Sequence, residues 1–137
     1  MDLRITDTIR EQDKAAVIEG LSEYNLARIE DKSPENLGVY ADDGDGRVAA
    51  GLIGHTHVKW LMIQLLWVAE EYRGRRLGNS ILRQAEQTAR ERGCKYAFVD
   101  TFSFQAPAFY EKLGYAEVFT LEEFPVTGKR HYFTKTL

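Results

Sequence analysis

The segment Val68-Ala-Glu-Glu-Tyr-Arg-Gly-Arg-Arg-Leu-Gly78 constrains this chain most, because it joins an apolar run to an amphipathic one through a loop rich in Gly and Arg. Residues 61–68 (LMIQLLWV) read as a buried strand. After the loop, Ile81, Leu82, Ala85 and Ala89 recur on one helical face, opposite Arg83, Glu86, Gln87 and Arg90. A helix start leaves backbone N–H groups without intrahelical partners and carries partial positive charge, so a tight loop turning into it can cradle a phosphate. Gly74 and Gly78 bring no Cβ to hold such a ligand off, and Arg73, Arg75 and Arg76 add positive charge within one turn. A solvated strand-to-helix connection has a similar composition, and short glycine motifs also match by chance. The loop is not a P-loop, since no Gly-Lys-Ser/Thr follows, and not a GxGxxG fingerprint, since Arg76 stands between the glycines.

The rest of the chain alternates strands and helices with no linker or repeat, so the expectation is a single α/β domain over residues 1–137. Leu3 to Thr6 reads as a short strand. From about Asp13 to Glu30, apolar positions at Val17, Leu21 and Tyr24, with Ile18 and Ile29 nearby, predict an amphipathic helix. Leu37 to Ala41 and Arg47 to Val58 read as strands around an Asp-Gly turn, and the helix Asn79 to Arg92 stops at Gly93 before a buried strand, Lys95 to Thr101. A last hairpin has arms Tyr115 to Phe124 and Arg130 to Thr136. The net charge of −3 points to neither nucleic acid nor a membrane surface, and the Arg-rich loop is a local exception suited to a small polyanion. The single cysteine, Cys94, cannot form an internal disulfide and reads as a buried thiol in a reducing cytoplasm; no transmembrane or secretory segment is evident.

Two stretches together carry a family resemblance. The loop resembles motif A of the GNAT superfamily of acyl-coenzyme A dependent N-acyltransferases, Arg/Gln-x-x-Gly-x-Gly/Ala: Arg73 and Gly78 fit it, and Arg76 stands where the family has its first glycine. Some 25 residues on, SFQAPAFYEKLGY (103–115) resembles the family's Asn-x-x-Ala-x-x-Leu-Tyr-Glu-Lys-Leu-Gly-Phe, with Ala106, Tyr110, Glu111, Lys112, Leu113 and Gly114 in place, Phe109 and Tyr115 conservative, and Ser103 for Asn. By itself this second stretch reads as a short helix capped by Gly114.

The resemblance implies a mostly antiparallel mixed sheet of six to seven strands flanked by helices, with splayed central strands holding the cofactor. It implies acetyl transfer from acetyl-coenzyme A to an amino group of a small molecule or protein, without a metal; a homodimer is compatible with it. Cofactor contacts would come from Leu66, Trp67 and Val68 on the strand, from Arg73, Gly74, Arg75, Arg76, Leu77, Gly78 and Asn79 in the loop, and from Ser103, Ala106, Phe109 and Tyr110. Tyr110 stands where the family has the phenol that protonates the departing thiolate; a core tyrosine is the structural alternative.

No strand glutamate is available as a base, because residues 61–68 offer only Gln64. His55 and His57, two apart and so on one strand face, are the candidate bases, with Glu30, Asp31 and Glu123 as further carboxylates and a water chain as the alternative. The acceptor site would draw on Tyr24, Asn25, Glu30, Asp31 and Trp60. A second function stays open: an acyl-coenzyme A binding or regulatory module with little turnover.

Overall fold

The computed structural model describes residues 1–28 and 33–137. The chain divides into two units, Met1–Lys32 and Ser33–Leu137.

In the first unit, α1 (Glu11–Leu26) begins after Arg10, and hydrogen bonds from Arg10 and Arg4 hold the Asp13 carboxyl below its ordinary range. The helix follows the apolar spacing, yet Val17, Ile18, Leu21 and Tyr24 are exposed, since no other described element of this unit covers them. Leu3 to Thr6, expected as a strand, is irregular and exposed. The unit has no described strand to pair with it, and a lone strand leaves its backbone groups to water. Ile29, Glu30 and Asp31 lie outside the described residues.

The second unit is a six-stranded sheet in the order β1-β2-β3-β4-β6-β5. Its strands are β1 (Glu35–Asp42), β2 (Val48–His57), β3 (Trp60–Val68), β4 (Tyr96–Phe102), β5 (Ala116–Leu121) and β6 (Arg130–Thr136). Every neighbouring pair is antiparallel except β3 with β4. α2 (Leu77–Glu91) crosses from β3 to β4, and the short α3 (Pro107–Lys112) follows β4. Among the described residues no helix is long and apolar enough to cross a membrane.

One inserted residue shapes the middle of this sheet. Ile53 of β2 stands opposite Leu65 of β3, but Gly54 stands opposite Ile63, so Gln64 has no partner and forms a bulge. Strand side chains alternate with period two, so one extra residue exchanges the faces. Before the bulge Leu61 and Ile63 are buried; after it Leu66 and Val68 pack on the core. Residues 61–68, apolar except for Gln64, read as buried throughout, but Leu65 and Trp67 are 62% and 52% exposed. The bulge needs Gly54 beside it, where a Cβ would lie 2.3 Å from the Met62 carbonyl oxygen.

The bulge also ends the pairing on the other edge of β3. β3 and β4 pair at Trp60–Tyr96, Leu61–Ala97 and Met62–Phe98 and no further. A bulged strand bends and twists more strongly. Beyond Met62 the two strands diverge as a fork.

α2 covers the sheet with Ile81, Leu82, Ala85 and Ala89, as its spacing predicts. Glu86, which its polarity assigns to the solvent face, is instead 3% exposed. Two partners make this burial tolerable: the Tyr115 hydroxyl donates to its Oε2 at 2.8 Å, and Lys135 Nζ stands 3.0 Å away. Burial and the Glu86 carboxylate push the Tyr115 phenol far above its ordinary pKa. Cys94 is buried, its thiol 3.5 Å from the Val58 carbonyl oxygen, and burial raises its pKa. Gly114 ends α3 at φ +92°, and the Tyr115 N–H returns to the Tyr110 carbonyl at 3.0 Å, a helix stop that favours glycine.

Candidate active site

The fork opens into a cleft of about 1130 Å³. One wall is β3 from Ile63 to Val68, the opposite wall is β4 from Val99 to Phe102 with Ala106, Phe109 and Tyr110, and the mouth is the loop entering α2. Because β3 has no strand partner beyond Met62 on this side, its backbone edge there is open to a ligand. The exposed side chains of Leu65 and Trp67 belong to this lining, so apolar surface that looks unprotected faces the cleft.

The mouth is built from unused backbone donors. None of the N–H groups of Gly74, Arg75, Arg76, Leu77, Gly78 and Asn79 has an acceptor among the described residues; intrahelical bonding starts only where Ser80 N–H reaches the Arg76 carbonyl at 3.1 Å. Consecutive free donors at a helix N-terminus form an anion nest. Gly74 turns the chain at φ +78° with nothing within 4 Å of a Cβ position. At Gly78 a Cβ would meet only the Phe109 ring and a Val68 methyl at 3.5–3.6 Å, so one extra carbon fits and a branched side chain must turn into the mouth or crowd Phe109.

The three arginines divide their roles. Arg73 spends its Nε on the Val68 carbonyl at 3.0 Å, tying the loop to the end of β3. Arg75 lies over the Tyr72 ring and outside the cleft lining. Arg76 lines the cleft and caps α2 in the left-handed conformation, φ 60° and ψ 19°. That conformation costs a non-glycine residue about 1 kcal/mol or more, partly offset by the backbone freedom a glycine loses on folding. Arg76→Gly is therefore expected to leave stability unchanged or raise it by up to about 1 kcal/mol in denaturant unfolding. A loss of that size would show that the Arg76 side chain itself holds the loop.

Tyr110 is buried, its ring packed edge-on against Phe109 and Tyr115. Among the described residues its hydroxyl makes no hydrogen bond and no buried side-chain nitrogen or oxygen lacks a partner, so that hydroxyl opens on the cleft. Burial first, and the Asp100 carboxylate second, raise its pKa to about 12. Its ring belongs to the buried core, as the core-tyrosine alternative requires, while its hydroxyl is bonded to no backbone carbonyl among the described residues.

Other singled-out residues lie elsewhere. His55 stands opposite Asn36 and Met62, and His57 opposite Trp60, on the closed side of the fork and outside the cleft lining. Ser103 is outside the lining too: its hydroxyl takes the Lys129 N–H at 3.0 Å and stands 3.0 Å from His131 Nε2. His131 Nδ1 lies 2.7 Å from Glu117, whose carboxyl is held low by hydrogen bonds from Thr120 and then His131. Trp60 packs at a tilt against the Tyr96 ring, Glu123 is exposed, and Tyr24 and Asn25 belong to α1. The cleft holds instead a pair the motifs do not contain, Asp100 and Arg130, with Arg130 Nε 2.6 Å from Asp100 Oδ2. A carboxylate inside the otherwise apolar strand KYAFVDT was the available signal, since such residues are seldom buried without a partner.

Comparison with known proteins agrees with this geometry. Residues 4–115 match the family model Acetyltransferase (GNAT) family. The chain is 35% identical over 121 residues to an acetyltransferase of Agrobacterium fabrum, covering 88% of both chains. It is 37% identical over 110 residues to the blasticidin-S acetyltransferase of Streptomyces morookaense, covering 80% of this chain and 81% of that one. The crystal structure of an acetyltransferase from Bacillus cereus superposes with a TM-score of 0.86 at 29% identity, covering 98% of each chain.

Proposed function

The chain belongs to the GNAT family of acetyltransferases, and from that membership we propose that it transfers an acetyl group from acetyl-coenzyme A to the amino group of a small molecule. The observation that carries this reading is the run of unused N–H donors from Gly74 to Asn79 at the mouth of a cleft into which the Tyr110 hydroxyl opens. The pyrophosphate of coenzyme A suits those donors, and the positive end of α2 adds to the attraction. The pantetheine arm then lies in the fork between β3 and β4, against Leu65 and Trp67 on one side and Phe109 on the other. That the relative from Streptomyces morookaense is named for a small-molecule antibiotic supports a small-molecule acceptor here.

The thioester supplies the acetyl group and a thiolate leaving group. The protein's part is to position and polarise it. On this reading, the N–H groups that β3 turns to its open edge within Leu66 to Val68 favour negative charge developing on the carbonyl oxygen. The amine attacks the carbonyl carbon, the carbon–sulfur bond breaks, and the proton the amine loses balances the one the sulfur gains. Burial and the Asp100 carboxylate raise the Tyr110 pKa to about 12, so the phenol stays protonated at neutral pH and can offer its O–H to the sulfur. Its role is therefore a hydrogen bond to the sulfur as charge develops, with the proton coming from the amine.

Gln64, the bulged residue on the cleft wall, keeps the binding-module reading in play, because an amide there cannot take the amine's proton. Steady release of coenzyme A thiol from acetyl-coenzyme A over a panel of small amines decides between them. Transfer requires amine-dependent release above the rate without amine; acetyl-coenzyme A binding without such release leaves a binding module.

A further inference from the structure

Arg130, the first residue of β6, stands between Phe102 of β4 and Leu121 of β5 and lines the cleft. Its guanidinium is fixed on several sides. Nε is held by Asp100 at 2.6 Å, and the guanidinium carbon lies 5.4–5.6 Å from the ring centroids of Phe102, Phe124 and Tyr132. Cation–π contacts of this kind hold a guanidinium in place and thin the water around it. Yet neither terminal nitrogen has a hydrogen-bond acceptor among the described residues, although the side chain is only 32% exposed. Asp100 already balances one charge and sits at the Nε edge. What remains open is the end of the fork, two parallel N–H donors in one plane, which matches the two oxygens of a carboxylate. Lys129, the neighbouring cation, is paired with Glu122 at 3.6 Å, so one guanidinium acts alone here. A single fork suits a singly charged carboxylate better than a phosphate, and the loop before α2 already offers a nest for the phosphates of the cofactor.

We propose that the acceptor is an amine bearing a carboxylate, and that the terminal nitrogens of Arg130 bind that carboxylate while the ring faces around them orient the rest of the molecule. The proposal rests on the acetyl-transfer reading above. Arg130 is then a specificity-determining residue, and Asp100 and the three rings position it.

The test offers α-amino, β-amino and longer ω-amino acids, each beside its carboxamide, to the parent protein, Arg130→Gln and Arg130→Lys, with coenzyme A thiol release as the readout. The parent is expected to prefer the best carboxylate over its carboxamide by about a hundredfold in kcat/KM, because a site built for a charged hydrogen bond rejects the analogue that lacks it. Arg130→Gln should bring that preference to within about twofold while the KM for acetyl-coenzyme A and its thermal stabilisation of the protein stay put, which also shows that the variant folds. Arg130→Lys, which keeps the charge and loses the fork, should fall between. Equal use of acid and amide by the parent, or an unchanged preference in Arg130→Gln, overturns the proposal and leaves acetyl transfer standing. A raised KM for acetyl-coenzyme A with the acid preference intact overturns it in favour of a cofactor contact. Silence from the whole panel, acids and amides alike, overturns this proposal; the acetyl-transfer reading falls with it only if small amines outside the panel also give no release above the rate without amine.

Discussion

Tyr110→Phe is expected to lower kcat about a hundredfold while leaving the KM for acetyl-coenzyme A within about twofold, the signature of a hydrogen bond made only as the transition state forms. The variant should fold as the parent does, since the hydroxyl it loses has no partner among the described residues and the ring keeps its contacts with Phe109 and Tyr115. Alkaline stability gives an independent check. The phenol ionises near pH 10 in the unfolded chain and at about 12 in the folded one, so its contribution is intact below pH 10 and is lost as the pH rises through 12. Tyr110→Phe should accordingly lose less stability than the parent over that interval, by on the order of 2 kcal/mol. Unchanged turnover in the variant would make Tyr110 a packing residue.

Gly78→Val is expected to abolish the stabilisation conferred by acetyl-coenzyme A, which for the parent at a hundredfold excess over Kd amounts to about 2.7 kcal/mol. A first carbon at Gly78 has room at 3.5 Å from Phe109, but the γ-methyls of valine have only the cleft mouth or the Phe109 ring to enter. Gly78→Ala is the control: it fits the space and should retain most of the shift. Thermal unfolding of the three proteins with and without acetyl-coenzyme A separates loss of binding from loss of fold. Equal shifts in parent and Val variant would place the phosphates away from this helix start.

Periodicity made some of this structure legible. α2 was readable because Ile81, Leu82, Ala85 and Ala89 repeat at helical spacing, and the stop at Gly114 because its positive φ favours glycine. The run of free N–H donors before α2 was readable because its cause, a glycine-bearing loop running into a helix, is local. What depends on distant partners was not. Glu86 looked solvent-facing until Tyr115 and Lys135, 29 and 49 residues on, closed over it. Asp100 and Arg130 are 30 residues apart and meet only because β4 and β6 are neighbours. The histidines two apart on β2 share a strand face as period two requires, but position along the sheet depends on register, and register puts them at the closed end of the fork. The bulge was invisible for a different reason: LMIQLLWV is apolar on both faces, so an exchange of faces leaves no mark in it. Leu3 and Ile5 alternate as a strand should, but the described part of their unit offers no strand to pair with.

The place of Gln64 along β3 acts as a depth gauge. Pairing runs from Trp60 to Met62, the bulge follows, and everything beyond is open, so the Met62–Phe98 pair closes the inner end of the fork. A strand advances about 3.3 Å per residue, and faces are kept only by steps of two, so that end can be moved only in increments of about 6.6 Å. That increment is the length of several methylenes. A sheet of this design therefore does not set the depth of its fork continuously; the depth changes in coarse steps, chosen by where one unpaired residue falls.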